Sequence, residues 1–252
     1  MNDPARGRHV AITGAGTGIG RAVALRLAAD GATLALLARD VGRLRETADA
    51  CRAAGADPPF VQACDVRDAV SVQGAFSAVS EAGGPLYGLV ASAGLGGPNE
   101  AGADDRFEAL VETNLVGTYR CVRAANAHRT VVIASILARI GVAGYTGYSA
   151  GKAGLLGLVR SFAMELAPGG ATINAICPGW VDTDMSREGI EGFARATDRT
   201  YEEAYAAAMA DVPLGRMSRP DEIAGTVAWL LRDEAAMVTG QTIDHNGGAW
   251  VG

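Results

Sequence analysis

A tyrosine and a lysine stand four residues apart in this chain, at Tyr148 and Lys152. On a helix, two side chains at this spacing lie on the same face. An ammonium group beside a phenol favours the phenolate and lowers the pKa of the phenol from its usual value of about 10. Such a phenol can give a proton to a developing alkoxide or take one from an alcohol. The pair therefore indicates acid–base chemistry at an oxygen atom.

Lys152 is also the only lysine, because 21 of the 22 residues counted as lysine or arginine are arginine. A compact ammonium differs in shape and hydration from a planar guanidinium, so this bias singles out Lys152 for a role that arginine cannot fill. Ser135 lies thirteen residues before Tyr148, and its hydroxyl could hold the oxygen of a substrate. The alternative is that Tyr148 and Lys152 form an ordinary pair on a surface helix.

A glycine-rich turn follows the first apolar segment. It contains Gly14, Gly18 and Gly20, with Thr17 and Ile19 between them. Glycines let the backbone turn tightly and approach a pyrophosphate, which the N-terminus of the next helix attracts. The turn therefore predicts a dinucleotide site, and a turn without any ligand is the alternative.

Short apolar segments alternate with amphipathic ones along the chain. The apolar segments predict seven strands, at His9–Thr13, Ala32–Ala38, Pro59–Cys64, Leu86–Ser92, Thr130–Ser135, Thr172–Cys177 and Gln241–His245. The amphipathic segments predict helices at Gly18–Asp30, Val41–Ala54, Ala69–Glu81, Asp105–Ala127, Tyr148–Leu166 and Pro220–Leu231. This alternation indicates a parallel sheet covered on both faces. We expect a single doubly wound α/β domain over residues 1–252, with a seven-stranded parallel sheet and a substrate lid at Thr183–Val212.

Composition excludes several classes of partner. The net charge of -6 argues against nucleic acid, since binding a phosphate backbone needs a basic face. The first residues, MNDPARGRHVAITGAG, lack the apolar run of a signal peptide, and no segment approaches the ~18 apolar residues of a membrane span. The four cysteines do not have metal-ligand spacing. We expect a cytoplasmic protein without a metal, a membrane or a nucleic acid as partner.

Several motifs together resemble the short-chain dehydrogenase/reductase family. The turn Thr13–Gly20, with the sequence TGAGTGIG, resembles the cofactor motif of that family. Further matches follow the third, fourth and sixth predicted strands, at Asp65 and Val66, at Ser92, Ala93 and Gly94, and at Pro178, Gly179, Val181 and Thr183. Ser92 stands where the family has asparagine. The resemblance covers essentially the whole chain and implies a Rossmann fold that binds NADP(H) or NAD(H).

The same resemblance implies a catalytic tetrad of Asn114, Ser135, Tyr148 and Lys152. In the family, the tyrosine exchanges a proton with the substrate oxygen, the serine holds that oxygen, and the lysine also hydrogen-bonds a cofactor ribose. The asparagine helps to hold a water molecule in a proton relay. These roles imply hydride transfer between the nicotinamide ring and a ketone or secondary alcohol.

The end of the second predicted strand bears on the choice of cofactor. NAD-binding proteins place an acidic residue about 20 residues after the glycines, whereas a nearby arginine accommodates the 2′-phosphate of NADP. In the resemblance, the acidic position falls on the neutral Ala38, and Arg39 follows it. Asp40 is predicted to cap the next helix. Thr17 occupies the family's other basic position, which weakens the argument. The sequence favours NADP(H), NAD(H) stays possible, and Arg39 as a solvated surface charge is the alternative.

Apolar residues point to the substrate class. Ile136–Tyr145, Trp180, Met185 and the lid are predicted to form a wall for an apolar or ring-containing substrate, although such residues also serve in packing. Resemblance to 3-oxoacyl and polyketide ketoreductases and to cyclic-alcohol dehydrogenases implies a small-molecule or acyl-carrier-linked ketone or alcohol, and a homotetramer. Gly189 and Gly192 suggest a lid that is mobile without ligand. A non-enzymatic dinucleotide-binding sensor is the rival, but it would be expected to lack the Tyr148 and Lys152 pair. An epimerase is disfavoured by the compact length.

Overall fold

Seven parallel strands form one sheet in the computed structural model, which describes residues 7–100, 102 and 105–252. The spatial order of the strands is β3-β2-β1-β4-β5-β6-β7. Their bounds are β1 His9–Thr13, β2 Thr33–Ala38, β3 Phe60–Ala63, β4 Gly88–Ala91, β5 Arg129–Ile133, β6 Thr172–Pro178 and β7 Thr242–His245. Every residue of β1, β4, β5 and β6 is buried, as expected for strands covered on both faces.

Helices cover both faces of the sheet. Their bounds are α1 Gly18–Ala29, α2 Val41–Ala53, α3 Ala69–Gly83, α4 Phe107–Val111, α5 Gly117–Ala125, α6 Thr146–Leu166, α7 Asp184–Thr197, α8 Tyr201–Ala210 and α9 Pro220–Leu230. One core cluster joins α3, α5 and α6 to the sheet, and a second joins α1, α2 and α9 to it. This confirms the doubly wound fold. The prediction of a single domain over residues 1–252 stays a prediction, and residues 1–6, 101, 103 and 104 lie outside the described part.

The order of strands reverses between β1 and β4, which are neighbours in the sheet although β2 and β3 separate them in sequence. In open α/β sheets, ligands bind in the crevice beyond the carboxyl ends of the strands at such a reversal. The glycine-rich turn follows β1 and Ser92 follows β4. The topology therefore brings both of these motifs to one crevice.

The predicted helix over Asp105–Ala127 is confirmed as a helical segment, but it is less regular than a single α-helix. The helical segment begins at Phe107, ends at Ala125 and contains a π-helical turn at Glu112–Val116 between α4 and α5. A π turn inserts one residue into a helix and is frequent at functional sites. Asn114 lies in this turn and is fully buried, a placement that periodicity alone does not predict.

Helix α6, which carries Tyr148 and Lys152, packs closely against α4 and the π turn. A Cβ atom at Gly147 would lie 2.9 Å from the Cα of Phe107, and one at Gly151 would lie 3.2 Å from the Cβ of Asn114. These glycines therefore let the two helical backbones approach one another. Ala150 of α6 is exposed and does not take part in the contact between α6 and α4.

The segment predicted to be the lid consists of two helices, α7 and α8. Thr183 caps α7, and Thr200 caps α8 with a reciprocal bond to Glu203. Ile190 and Ala204 are fully buried in a small hydrophobic cluster of the lid. The lid thus has a core of its own, and its mobility without ligand stays a prediction.

None of the helices within the described residues is long and apolar enough to cross a membrane.

Gly20 and Gly74 provide a matched test of backbone packing. A Cβ at Gly20 would lie 2.2 Å from the carbonyl oxygen of Gly14, whereas a Cβ at Gly74, on the exposed face of α3, has nothing within 4 Å. We expect Gly20→Ala to lower the free energy of unfolding by about 1–3 kcal/mol. Gly74→Ala should raise it by about 0.5–1 kcal/mol, because alanine loses less entropy in a helix. Urea denaturation measures both, and equal effects of the two substitutions would contradict this account.

Candidate active site

The glycine-rich turn and the segment after β4 are held in direct contact. The Thr13 hydroxyl accepts hydrogen bonds from the backbone N–H groups of Ser92 and Ala93, each at 3.2 Å. A Cβ at Gly14 would lie only 2.8 Å from the Cα of Ala93. These contacts bring together two motifs that are separated by 80 residues in the sequence.

The turn has the shape that a pyrophosphate needs. Gly14 and Gly18 have positive φ angles of 69° and 52°, which side chains disfavour, and α1 begins at Gly18 with its free N–H groups. Thr183 packs over the turn, with its methyl carbon 3.3 Å from the Cβ position of Gly18. Ile19 is partly buried and packs against the core. The residues present therefore fit a dinucleotide with its phosphates at the start of α1.

A cleft of about 470 Å³ continues from the turn across the ends of β2 and β3. Predicted cofactor residues line it, namely Gly14, Thr17, Arg39, Asp65, Val66, Ala93 and Gly94. Arg43 and Arg67 line it as well, and the sequence analysis did not identify them. Arg43 lies in the first turn of α2, and its Cβ is 3.0 Å from the Cβ position of Gly16. Its place in the first turn of the helix that follows β2 was the signal that could have identified Arg43.

Charges in this cleft are predominantly positive, with three arginines against two aspartates among its lining residues. A hydrogen bond from Arg67 lowers the pKa of Asp65 to about 2, and the charge of Arg39 acts in the same direction. Asp40 accepts the backbone N–H of Arg43 at 3.1 Å, which confirms its predicted role as the cap of α2. The surplus of positive charge suits an anionic group on the ligand.

Tyr148 and Lys152 lie on neighbouring turns of α6, beyond the inner end of this cleft. The Lys152 ammonium is 5.8 Å from the centre of the Tyr148 ring and donates a hydrogen bond to the Ile133 carbonyl at 2.8 Å. Lys152 is only 5% exposed, and this burial lowers the pKa of its ammonium to about 8. Gly94 links the two regions, because its Cβ position is 3.5 Å from the nitrogen of Lys152.

The pKa of Tyr148 shifts in the direction opposite to our expectation. Burial raises it, and a hydrogen bond with the Ser135 hydroxyl opposes that rise. Burial is the largest cause of this shift, and the hydrogen bond of the Lys152 ammonium goes to the Ile133 carbonyl. The phenol therefore stays protonated at neutral pH and is ready to act as a proton donor.

The other two residues of the predicted tetrad, Ser135 and Asn114, have different hydrogen-bond partners. Ser135 caps the short 3₁₀ helix Ile136–Ala138 through the N–H of Leu137, which aims its hydroxyl region at Tyr148. The Asn114 side chain is bound twice to Leu95, accepting its N–H at 3.0 Å and donating to its carbonyl at 2.9 Å. Asn114 thus secures the segment after β4, and its role in a water relay stays a prediction.

The remaining predicted cofactor residues follow β6. Pro178 ends this strand, and Gly179 packs against Asn246, whose Cα lies 3.1 Å from the Cβ position of the glycine. Val181 is buried and pairs with Ser218. These contacts fix the path of the chain toward Thr183 and the lid.

Three residues of the predicted substrate wall make defined contacts. The Tyr145 ring lies edge-on to it, with ring centres 6.4 Å apart. The Met185 thioether of the lid packs on Gly96, since a Cβ there would lie 2.6 Å from the sulfur. Trp180 packs against Gly189 within the lid. Tyr145 of the predicted wall thus lies beside Tyr148, and the lid contacts the segment after β4.

Known proteins share this arrangement over the whole chain. A family model described as enoyl-(acyl carrier protein) reductase matches residues 14–249. The 3-oxoacyl-[acyl-carrier-protein] reductase MabA of Mycobacterium bovis is 33% identical, covering 97% of this chain and 94% of that protein. The short-chain reductase protein NovJ of Streptomyces niveus is 36% identical, covering 94% of this chain and 92% of that protein.

A solved structure agrees in fold as well as in sequence. A variant of actinorhodin polyketide ketoreductase, crystallised with NADPH, superimposes with a TM-score of 0.91 and is 36% identical, covering 96% of this chain and 97% of that one. The glycine-rich turn, the buried lysine and the similarity along the whole chain lead to one assignment. The chain belongs to the short-chain dehydrogenase/reductase family.

Proposed function

We propose that this protein reduces a ketone to a secondary alcohol with NADPH, using Tyr148 as the proton donor. As a member of its family, the chain is an NAD(P)-dependent oxidoreductase of ketones and alcohols. One observation carries the proposed direction and roles. Tyr148, whose pKa burial raises and the Ser135 hydroxyl lowers, stands one helical turn from the buried Lys152, and Gly94 connects Lys152 to the dinucleotide cleft.

Each residue has a distinct task in the proposed reaction. When bound, the nicotinamide supplies a hydride to the carbonyl carbon. Ser135 holds the carbonyl oxygen, and Tyr148 donates its proton to the oxygen as negative charge develops there. The Lys152 ammonium lies close enough to favour the phenolate that remains. Asn114 is proposed to support the return of a proton through water, although its side chain is bound to Leu95.

The rival reading, a dinucleotide-binding sensor without catalysis, is not supported by this site. A sensor needs the cleft but has no use for a buried ammonium next to a phenol. Burying Lys152 at 5% exposure costs free energy, because a charged group loses its hydration. Such an arrangement is typical of functional sites.

NADPH is proposed as the preferred cofactor. Arg39 and Arg43 line the outer end of the cleft, where the end of β2 approaches the ligand. The neutral Ala38 stands where an acidic residue would select NAD. The solved relative that contains NADPH supports the same choice.

The substrate is proposed to be a 3-oxoacyl, polyketide-like or cyclic ketone, free or linked to an acyl carrier. The names of the relatives and the Tyr145 ring beside Tyr148 support this class. A homotetramer and a cytoplasmic location likewise stay predictions. Screening such ketones while the absorbance of NADPH is followed identifies the substrate class directly.

Removing the phenol hydroxyl tests the central role. Tyr148→Phe keeps the ring but cannot deliver a proton, so kcat should fall by at least about 10²-fold, the low end of general acid catalysis. Lys152→Arg should also lose most activity, because a guanidinium does not replace a compact buried ammonium. Lys152→Ala should in addition weaken cofactor binding. Steady-state kinetics measure kcat, and cofactor fluorescence measures the Kd separately.

Cofactor binding serves as the control for these variants. Although Tyr148 is itself one of the predicted cofactor-binding residues, Tyr148→Phe should bind NADPH with a Kd close to that of the wild type, since the ring still packs and the other predicted contacts with the cofactor remain. If Tyr148→Phe kept more than about a tenth of the wild-type kcat, the assigned role would be wrong.

The arginines at the outer end of the cleft test the choice of cofactor. Arg39→Asp should reverse the preference for NADPH over NADH, because it exchanges attraction to the 2′-phosphate for repulsion. Arg43→Ala should raise the Kd for NADPH by about tenfold or more, which is the effect of losing one charge-assisted hydrogen bond. The Kd for NADH should stay unchanged. Arg45→Ala is the matched control, since Arg45 is exposed on the same helix and does not line the cleft. A wild type that binds NADH more tightly than NADPH would refute the proposal.

The buried ammonium also predicts a dependence on pH. The pKa of Lys152 is lowered to about 8, so the ammonium loses its proton as pH rises through that value. The pKa of Tyr148 is raised above its usual value of 10, so the phenol remains protonated while Lys152 titrates. The kcat/KM for reduction should therefore be level from pH 6 to 7 and fall above about pH 8. Lys152→Arg should lack this step, and a wild-type profile that stays level to pH 9.5 speaks against the assignment.

A further inference from the structure

The catalytic helix α6 does not begin with a cap of its own. Tyr145 occupies the N-cap position and makes no side-chain bond to the first turn. The N–H groups of a first helical turn have no partners inside the helix and need others. The N–H of Gly147, the residue before Tyr148, instead donates to the side-chain oxygen of Asn99 at 2.8 Å. The cap therefore comes from the loop between β4 and α4, 48 residues earlier in the chain.

Asn99 makes hydrogen bonds through both its side chain and its backbone. Its amide nitrogen donates to the Asp105 carboxylate at 3.1 Å and to the Thr146 hydroxyl at 3.0 Å. Its backbone N–H donates to the carbonyl of Gly144 at 2.8 Å, just before α6. One side chain thus uses both its acceptor and its donor to join the loop to the start of the catalytic helix.

The contact extends to a second helix. Asp105, which accepts from Asn99, also accepts the backbone N–H of Phe107 at 2.9 Å, where α4 begins. The Phe107 backbone is the one that Gly147 approaches, with 2.9 Å between its Cα and the Cβ position of the glycine. Asn99 therefore joins the first turn of α6 to the first turn of α4, which leads into the π turn with Asn114.

We propose that Asn99 is a positioning residue for Tyr148. It touches neither of the catalytic groups, but it holds the N–H one residue before the tyrosine. Loss of this bond would free the first turn of α6 and shift the phenol relative to Ser135, and small displacements of a catalytic group cost large factors in rate. An amide suits this place, because it accepts from Gly147 and donates to Asp105 at once, whereas a carboxylate would face Asp105 with like charge. This inference rests on the proposed function of Tyr148.

Asn99→Ala provides the first test. We expect kcat for ketone reduction to fall about tenfold, with the KM for the ketone and the Kd for NADPH within about twofold of the wild type. Hydrogen exchange of a peptide covering residues 145–150 should become faster. Glu100→Ala is the control, because Glu100 is exposed and is the next residue of the same loop, and it should leave kcat and hydrogen exchange unchanged.

Exchanging the amide and the carboxylate provides a rescue. Asn99→Asp alone places two carboxylates together and should lower kcat as Asn99→Ala does. The double variant Asn99→Asp with Asp105→Asn restores one donor and one acceptor between the two positions, and it keeps an acceptor for Gly147 and one for Phe107. We expect its kcat to return to within about threefold of the wild type. Should Asn99→Ala not fold, Asn99→Asp and the double variant carry the same comparison.

The outcomes separate this inference from the proposed function. A wild-type enzyme that reduces no ketone with NADPH overturns the proposed function. An active wild type overturns only the inference if Asn99→Ala keeps its kcat despite faster exchange, since Asn99 is then a helix cap alone. A raised KM with unchanged kcat also overturns it, because Asn99 would then contact the substrate.

Discussion

Close approach of one backbone to another, possible only at glycine, is the constraint on which this site depends. Gly14 lies against Ala93, which joins the turn after β1 to the segment after β4. Gly94 leaves room for the side chains of Asn114 and Lys152, whose nearest atoms lie 3.0 Å and 3.5 Å from its Cβ position. A side chain at either glycine would push the cofactor cleft away from the catalytic helix. The short distances in the site follow from the absence of these Cβ atoms.

Within this frame, the electrostatics of the site depend on one buried ammonium. The Ile133 carbonyl satisfies one donor of Lys152, and burial lowers its pKa to about 8. The protein therefore keeps a positive charge near Tyr148 at neutral pH, but this pKa is only about one unit above neutral pH. Arginine would hold its charge at any pH, but its planar group needs more space and more acceptors than a site with 5% exposure provides.

The outer end of the cleft carries several exposed charges instead of one buried charge. Arg39, Arg43 and Arg67 are partly exposed there, in a protein whose net charge is -6. Ion pairs with Asp40 at 3.6 Å and with Asp65 at 2.6 Å orient the side chains of Arg43 and Arg67 respectively. The local surplus of positive charge is independent of the overall charge, and it suits a phosphate on a small ligand rather than a nucleic acid.

Most of the fold could be predicted from the sequence, because apolar runs and turn residues act locally. The seven predicted strands all lie within a few residues of their observed bounds, and Asp40 caps α2 as expected. The motifs at Gly14, Tyr148 and Lys152 also identify the family by themselves. These features depend on short-range spacing, which the sequence displays directly.

Tertiary structure alone decided the features that join distant segments. The π turn at Asn114 exists where α6 packs against α4, and the cap of α6 comes from Asn99. The direction of the pKa shift of Tyr148 depends on burial, and the orientation of Lys152 depends on the Ile133 carbonyl of a neighbouring strand. None of these can be predicted from spacing along the chain, because each depends on which groups packing brings into contact and which it removes from water.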